Sequence, residues 1–325
     1  MSCYAVVGMG SIAKRHLANL RHLHSDAKIY SVSASGRNTE LPLHADAVIG
    51  LQQLLEEKPE YVIVASPAPY HSEVAQKFLA HNIPVLIEKP LAHNVETCIA
   101  IQNFCMQQPN KAVAVGYCLR FLPSALVVKD YLDRSLLGTI YNVNASVGQY
   151  LPAWRADKSY KDSVSANKEL GGGALLELSH ELDYLQWMLG DLTLQHSWLR
   201  TTDELGLEVE DIANLVMLSD KHTYVTVHLD FIQKSTKRNC EFIGQHGRLV
   251  WDLLANTVTL HHAKGQDTLY SEPDYNKNGM YLAMLTAFEN MQQGAVSQLA
   301  TLTSSTKVVK LIDNAKYLNK WRRQG

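Results

Sequence analysis

The chain has 325 residues, 46% hydrophobic and 19% charged, with a formal net charge of −2. That length exceeds one small core and suits two domains of ordinary globular composition. The near-neutral balance supplies no basic field for nucleic acid, the longest apolar runs are far too short to span a membrane, and "MSCYAVVGMG" lacks the charged-then-apolar order of a secretory signal.

A cytoplasmic protein with no nucleic-acid or membrane partner is therefore expected. Cys3, Cys98, Cys105, Cys118 and Cys240 are odd in number and form no C-x-x-C pair, the pattern of reduced thiols in such a compartment.

In chain order, "CYAVVG" reads as a strand and a helix follows from Ser11. "KIYSVS" is a second strand, and "DAVIG" with "LQQLLEEK" a short strand and helix. "YVIVAS" is an apolar strand followed by the helix "SEVAQKFLAHN". "PVLIE" precedes the helix "VETCIAIQNFCMQQ", with Asn94 as its N-cap, and "AVAVGY" closes the series. Apolar strands alternating with helices predict a parallel, doubly wound sheet.

The pattern changes near residue 118. A helix, "SALVVKDYLDRSLLG", leads into strands of period two. In "TYVTVHLDF" the apolar Val225, Val227, Leu229 and Phe231 alternate with Thr226, His228 and Asp230. One-sided strands mean an antiparallel sheet with one buried face, and two helices finish the chain near 279–293 and 305–321. The expected fold class is α/β: a Rossmann domain, residues 1–118, followed by an α+β domain, residues 119–325, with a large, mostly antiparallel open sheet.

Between the first strand and helix lies Gly8-x-Gly10-x-x-Ala13. Gly8 permits a tight turn, Gly10 lets bare backbone approach a pyrophosphate, and Ala13 allows close packing of helix on strand. The helix start at Ser11 and Ile12 offers N–H groups to the phosphates. Where many NAD-binding domains carry an acid at the end of strand two, this chain has Ser33, Ser35 and Arg37. No carboxylate stands there to repel a 2′-phosphate and a guanidinium is available to bind one, which leans the cofactor expectation toward NADP over NAD.

The motifs "GMGSIAKRH", "SPAPYHSEVAQKFLAHNIPVLIEKPLA", "GYCLRFLPS" and "GGGALLELSHELDYLQWMLGD" together resemble the Gfo/Idh/MocA family of oxidoreductases, relatives of glucose–fructose oxidoreductase and inositol dehydrogenase. The likeness runs from residue 3 to the C-terminus. It implies a dehydrogenase acting on sugars, cyclitols or nucleotide-linked sugars, and a second domain that mediates homodimer or homotetramer formation. It places Glu88 beside the dinucleotide and makes Lys89 catalytic, meeting the reacting hydroxyl. Ser66, Pro67 and His71 match a segment that lies along the cofactor, although Ala68 and Pro69 stand where an asparagine is usual.

Glu177, His180 and Asp183 recur every three residues after a triple glycine, a spacing that keeps them near one face of a helix. Acid/base chemistry, a metal site and a solvated acidic edge all fit that spacing. The resemblance favours His180 as proton carrier, with no metal. Well-known members place an aspartate four residues before this histidine; here that position is Leu176 and the acid is Glu177. Asp183, Tyr117, Arg120, Tyr150, Trp154, Arg155 and Tyr160 are the expected substrate contacts. The alternative function is a catalytically idle dinucleotide sensor on the same fold. Retention of Lys89 and His180 argues for the enzyme.

Overall fold

The computed structural model describes residues 2–33, 40–107, 112–154 and 159–322. The apolar runs of the first third become β1 (Cys3–Val7), β2 (Lys28–Val32), β3 (Ala47–Ile49), β4 (Tyr61–Val64), β5 (Val85–Glu88) and β6 (Val113–Gly116). They form one sheet in the order β3-β2-β1-β4-β5-β6, every pair parallel. Val6, Ile63 and Leu86 have no exposure, as expected for strands covered on both faces. Between the strands run α1 (Ser11–Leu23), α2 (Leu51–Glu57), α3 (His71–Ala80) and α4 (Val95–Met106). Asn94 caps α4, its side chain accepting the Thr97 N–H at 2.8 Å. The strand order reverses direction between β1 and β4, the switch point where open α/β sheets bind ligands at their carboxyl ends.

The second sheet comprises β7 (Ile140–Gly148), β8 (Leu192–Arg200), β9 (Ile212–Ser219), β10 (Tyr224–Asp230), β11 (Lys237–Gly244), β12 (Gly247–Asp252), β13 (Thr257–His262) and β14 (Gly265–Ser271). Its order is β14-β13-β12-β11-β7-β10-β9-β8. The β7–β10 pair is parallel and the others are antiparallel. With this sheet go α5 (Pro123–Asp133), the short α6 (Ala174–Glu177) and α7 (His180–Leu189). The period-two expectation holds in β10: Val225, Val227 and Leu229 are buried while Thr226 and His228 are half-buried. Asp230 departs from it. At the strand end its side chain turns in, accepts the N–H groups of Ile232 and Gln233 at 2.9 and 2.8 Å, and meets His228 Nε2 at 2.8 Å. Burial pushes its carboxyl up, but the His228 and Gln233 hydrogen bonds outweigh burial and hold it below the usual carboxylate range.

Two compact units result, Met1–Cys118 with Tyr281–Val309, and Leu119–Met280 with Lys310–Gly325. The first unit takes in residues 281–309, which the sequence reading places in the second domain. The reason is packing around α8 (Gly279–Gln292). Phe288 lies edge-on to Tyr61, with ring centres 5.4 Å apart. Glu289 accepts from the Tyr61 hydroxyl at 2.9 Å and meets His24 Nε2 at 2.8 Å. Further along, the Val115 N–H donates to the Ala300 carbonyl at 2.9 Å. The last helix, α9 (Leu302–Arg322), returns to the second unit, where Ser197 Oγ donates to the Ala315 carbonyl. Among the described residues no two cysteines form a disulfide.

Candidate active site

On the first unit the glycine motif sits at the carboxyl end of β1. Gly8 has φ +136°, a conformation side chains avoid, and a Cβ there would collide with the Ala65 carbonyl at the end of β4. Gly8 is therefore required by the fold itself. Gly10 differs: it has φ −76° and ψ −179°, and among the described residues a Cβ would meet no atom within 4 Å. Ala13 is fully buried against the sheet, and Ser11 and Ile12 open α1. Ser66, at the end of β4, is buried, and its hydroxyl has no hydrogen-bond partner among the described residues. A Gly10 without a neighbour at its Cβ position among the described residues, the helix N-terminus that follows it and an unpartnered buried hydroxyl at the switch point together fit a dinucleotide. Ser35 and Arg37 lie outside the described residues.

Glu88 ends β5, and Lys89 follows it, half-buried. The Glu88 carboxylate turns inward: Oε1 lies 2.7 Å from Nε2 of the fully buried His16, and Oε2 accepts the Lys89 N–H at 3.1 Å. His71, the first residue of α3, is 1% exposed. Its Nδ1 lies 2.9 Å from the Pro90 carbonyl oxygen and its Nε2 2.6 Å from that of Ser66. Burial lowers its pKa, opposed by the carbonyls of Ser66 and Pro90 and by Glu88. The sequence placed His71 along the cofactor; its ring atoms are engaged with backbone instead. Pro67 is half-buried beside Ser66, and Tyr117 is buried just beyond β6.

On the second unit the triple glycine precedes two helices rather than one. Glu177 ends α6, and His180 opens α7 after Leu178 and Ser179. The three-residue spacing therefore does not place Glu177, His180 and Asp183 on one uninterrupted helical face. Asp183 and Arg120 are engaged with each other: Arg120 Nε and Nη2 donate to the two carboxylate oxygens at 2.9 and 2.7 Å, both residues being buried. Burial raises the Asp183 pKa against the opposing pull of Arg120. Leu176 is buried, so the aspartate position of other members is here a core position, while Glu177 accepts from Ser165 Oγ at 3.2 Å.

Glu210 is a residue that the sequence did not single out. Its backbone carbonyl accepts the Ala174 N–H at 2.9 Å, and its side chain accepts that of Leu175 at 3.2 Å. A Cβ on Gly173, which has φ +108°, would collide with the Glu210 carboxylate. Gly173 is thus a seat for Glu210, and burial raises the pKa of that carboxyl.

Beside this turn is a cavity of about 420 Å³ lined by Leu151, Trp154, Ser159, Tyr160, Asp162, Ser163, Val164 and Ser165, within the size range of small-ligand pockets. Trp154 lies edge-on to Phe231, and its indole N–H is buried without a hydrogen-bond partner among the described residues. The Tyr160 hydroxyl donates to the Leu205 carbonyl at 3.0 Å. Tyr150 lies under the Lys234 ammonium, 3.5 Å from its ring centre. Arg155 lies outside the described residues. Among the described residues no cluster of three or more His, Cys, Asp or Glu could hold a metal ion, and no helix is long and apolar enough to cross a membrane.

A Rossmann sheet that opens on a glycine loop, joined in one chain to a large, mostly antiparallel sheet, is the layout of an NAD-binding oxidoreductase family. Residues 3–117 match the model of the oxidoreductase family with an NAD-binding Rossmann fold, and residues 126–250 match that family's C-terminal domain, so the chain belongs to the GFO/IDH/MocA family. It is 28% identical over 192 residues to 2,7-anhydro-N-acetylneuraminate hydratase of Escherichia coli (strain K12), covering 58% of this chain and 50% of that protein. It is 25% identical over 255 residues to inositol 2-dehydrogenase of Klebsiella pneumoniae (strain 342), covering 74% of this chain and 71% of that one. Among solved structures, levoglucosan dehydrogenase in complex with NADH and levoglucosan superposes with a TM-score of 0.84 at 17% identity, over 98% of this chain and 97% of that one.

Proposed function

We propose that the protein transfers a hydride between NADP(H) or NAD(H) and a secondary alcohol or ketone of a sugar, cyclitol or nucleotide-linked sugar. The observation that carries this is Lys89: an ammonium at the carboxyl end of β5, separated only by β4 from the strand that leads into the glycine loop. Gly8, Gly10, Ser11 and Ile12 would hold the pyrophosphate, with Ser66, Pro67 and Glu88 along the remainder of the dinucleotide. Ser33, Ser35 and Arg37, with no acid among them, support NADP(H), whereas the relatives' complexes and the family description support NAD. When bound, the nicotinamide accepts or supplies the hydride.

Hydride leaves a carbinol carbon only as its hydroxyl proton is removed. Lys89 Nζ would orient that oxygen and stabilise its developing negative charge. The His180 imidazole would take or return the proton, having the ring type that titrates nearest neutrality. Glu177, tied to Ser165 on the cavity wall, would orient the substrate. The aromatic edge of Trp154, the serine hydroxyls and Asp162 are groups that recognise a polyhydroxylated ring.

A panel of sugars, cyclitols and nucleotide sugars with each dinucleotide, followed at the nicotinamide absorbance and by product analysis, tests this. Product analysis is included because a hydratase is among the relatives. Turnover of one substrate class is expected. Measurable dinucleotide binding with no turnover of any substrate would instead favour the sensor.

A further inference from the structure

The residues on both sides of Lys89 are met by buried histidines. On its N-terminal side, Glu88 is 5% exposed, and a buried carboxylate persists only when paired. Its partner is His16, from the helix that the glycine loop opens. The same carboxylate accepts the Lys89 N–H, so His16 acts on the lysine backbone through one intermediate group. Gly116, opposite Glu88 on β6, leaves the room this needs: a Cβ there would lie 3.3 Å from Glu88 Oε1. The Tyr281 ring stands edge-on to His16 with Arg15 over it, closing the pocket.

On the C-terminal side, the Pro90 carbonyl is held by His71, whose other ring nitrogen meets the Ser66 carbonyl. His71 therefore lies between the backbone after β5 and the backbone after β4, and the single N–H of its neutral ring donates to one of the two carbonyls. Both imidazoles are withdrawn from solvent, at 0% and 1% exposure, and neither is available to reach a substrate oxygen through water.

Resting on the dehydrogenase reading, in which Lys89 faces the reacting oxygen, we propose that His16 and His71 are positioning residues of Lys89. They fix the peptide on each side of it from two different helices, so that the ammonium is aimed before substrate arrives. Reactions of this kind are sensitive to aim, a 1 Å misplacement costing about 10²-fold in rate.

The test reads Lys89 directly. The purified full-length protein is treated with a limiting amine-reactive acylating reagent, and the labelling rate of Lys89 is measured by peptide mass spectrometry, with Lys77 and Lys129 as internal references. His16→Leu and His71→Leu should each change the Lys89 rate relative to the references. His16→Gln, which keeps an N–H donor for Glu88, should restore most of it. With a substrate in hand, the two leucine variants should lower kcat about 10²-fold. Folded variants with unchanged Lys89 labelling would overturn the proposal, whatever their melting temperatures. Should His16→Leu fail to fold, His16→Phe, which keeps a ring in the same space but offers Glu88 no N–H, takes its place, and unchanged Lys89 labelling there overturns the proposal for His16. The labelling needs no substrate, so a panel without turnover defeats the dehydrogenase reading and leaves the positioning proposal to be judged separately.

Discussion

Gly10→Val separates cofactor binding from folding. Gly10 already has an extended backbone that any residue adopts, and among the described residues a Cβ there meets no atom within 4 Å. The fold should therefore lose only the N-cap preference for glycine over valine, about 1 kcal/mol. The ligand should lose far more, because the isopropyl group would occupy the space a pyrophosphate needs. Each N–H bond to a charged phosphate oxygen is worth about 1.5–3 kcal/mol. Losing two of them removes about 3–6 kcal/mol, a fall in affinity of roughly 10²–10⁴. Calorimetric titration with NAD(H) and NADP(H), alongside a melting curve, measures both effects on one sample. Gly8→Ala is the control with the opposite signature: the +136° φ and the collision with the Ala65 carbonyl should lower the melting temperature first. A folded Gly10→Val protein that binds dinucleotide within about threefold of the parent would refute the placement of the pyrophosphate.

Lys89→Ala and His180→Ala should each lower single-turnover hydride transfer about 10²–10⁴-fold with dinucleotide affinity retained, and the double variant should fall short of the product of the two losses; near-normal transfer in Lys89→Ala would overturn the mechanism. Arg120→Ala strands a buried carboxylate and should cost about 3–5 kcal/mol in urea unfolding, more than an Arg120→Met, Asp183→Leu double change. The folded-state pKa of Asp230 is depressed, so its contribution is present above the unfolded value of about 3.9 and is lost as pH falls through the lower folded value. Asp230→Asn should accordingly flatten the decline of the urea midpoint below about pH 4. We expect a homodimer or homotetramer through the second sheet, whose Trp198, Tyr224 and Ile243 are exposed; light scattering that detects only monomer at micromolar concentration would contradict it.

The first sheet was legible because each of its strands is a short apolar run closed by a turn, and burial on both faces leaves no other way to read them. The glycine loop was legible for a related reason: Gly8 meets a local demand of the backbone. Features that depend on distant partners were not legible. Arg120 and Asp183 are separated by 63 residues; two opposite charges near expected pocket segments look like substrate contacts until the fold brings them together. The break at Leu178–Ser179 leaves the three-residue spacing of Glu177, His180 and Asp183 unchanged, so periodicity cannot reveal it. Glu210 carries no motif, and only the space above Gly173 explains why a carboxylate is needed there. His16 stood in the quoted glycine motif, but its partner Glu88 is 72 positions away.

The return of residues 281–309 to the first unit bears on when the protein becomes competent during synthesis. Chains emerge from the ribosome N-terminus first, at about 5–20 residues per second, and domains generally fold as units. When the first 118 residues have emerged, Tyr61 still lacks Phe288 and Glu289, and Val115 lacks the Ala300 carbonyl. At the cited speeds the missing segment follows roughly 10–40 seconds later. A nascent chain thus carries an incomplete nucleotide unit for most of its translation. Fragments truncated before residue 281 would lack the packing that completes that unit.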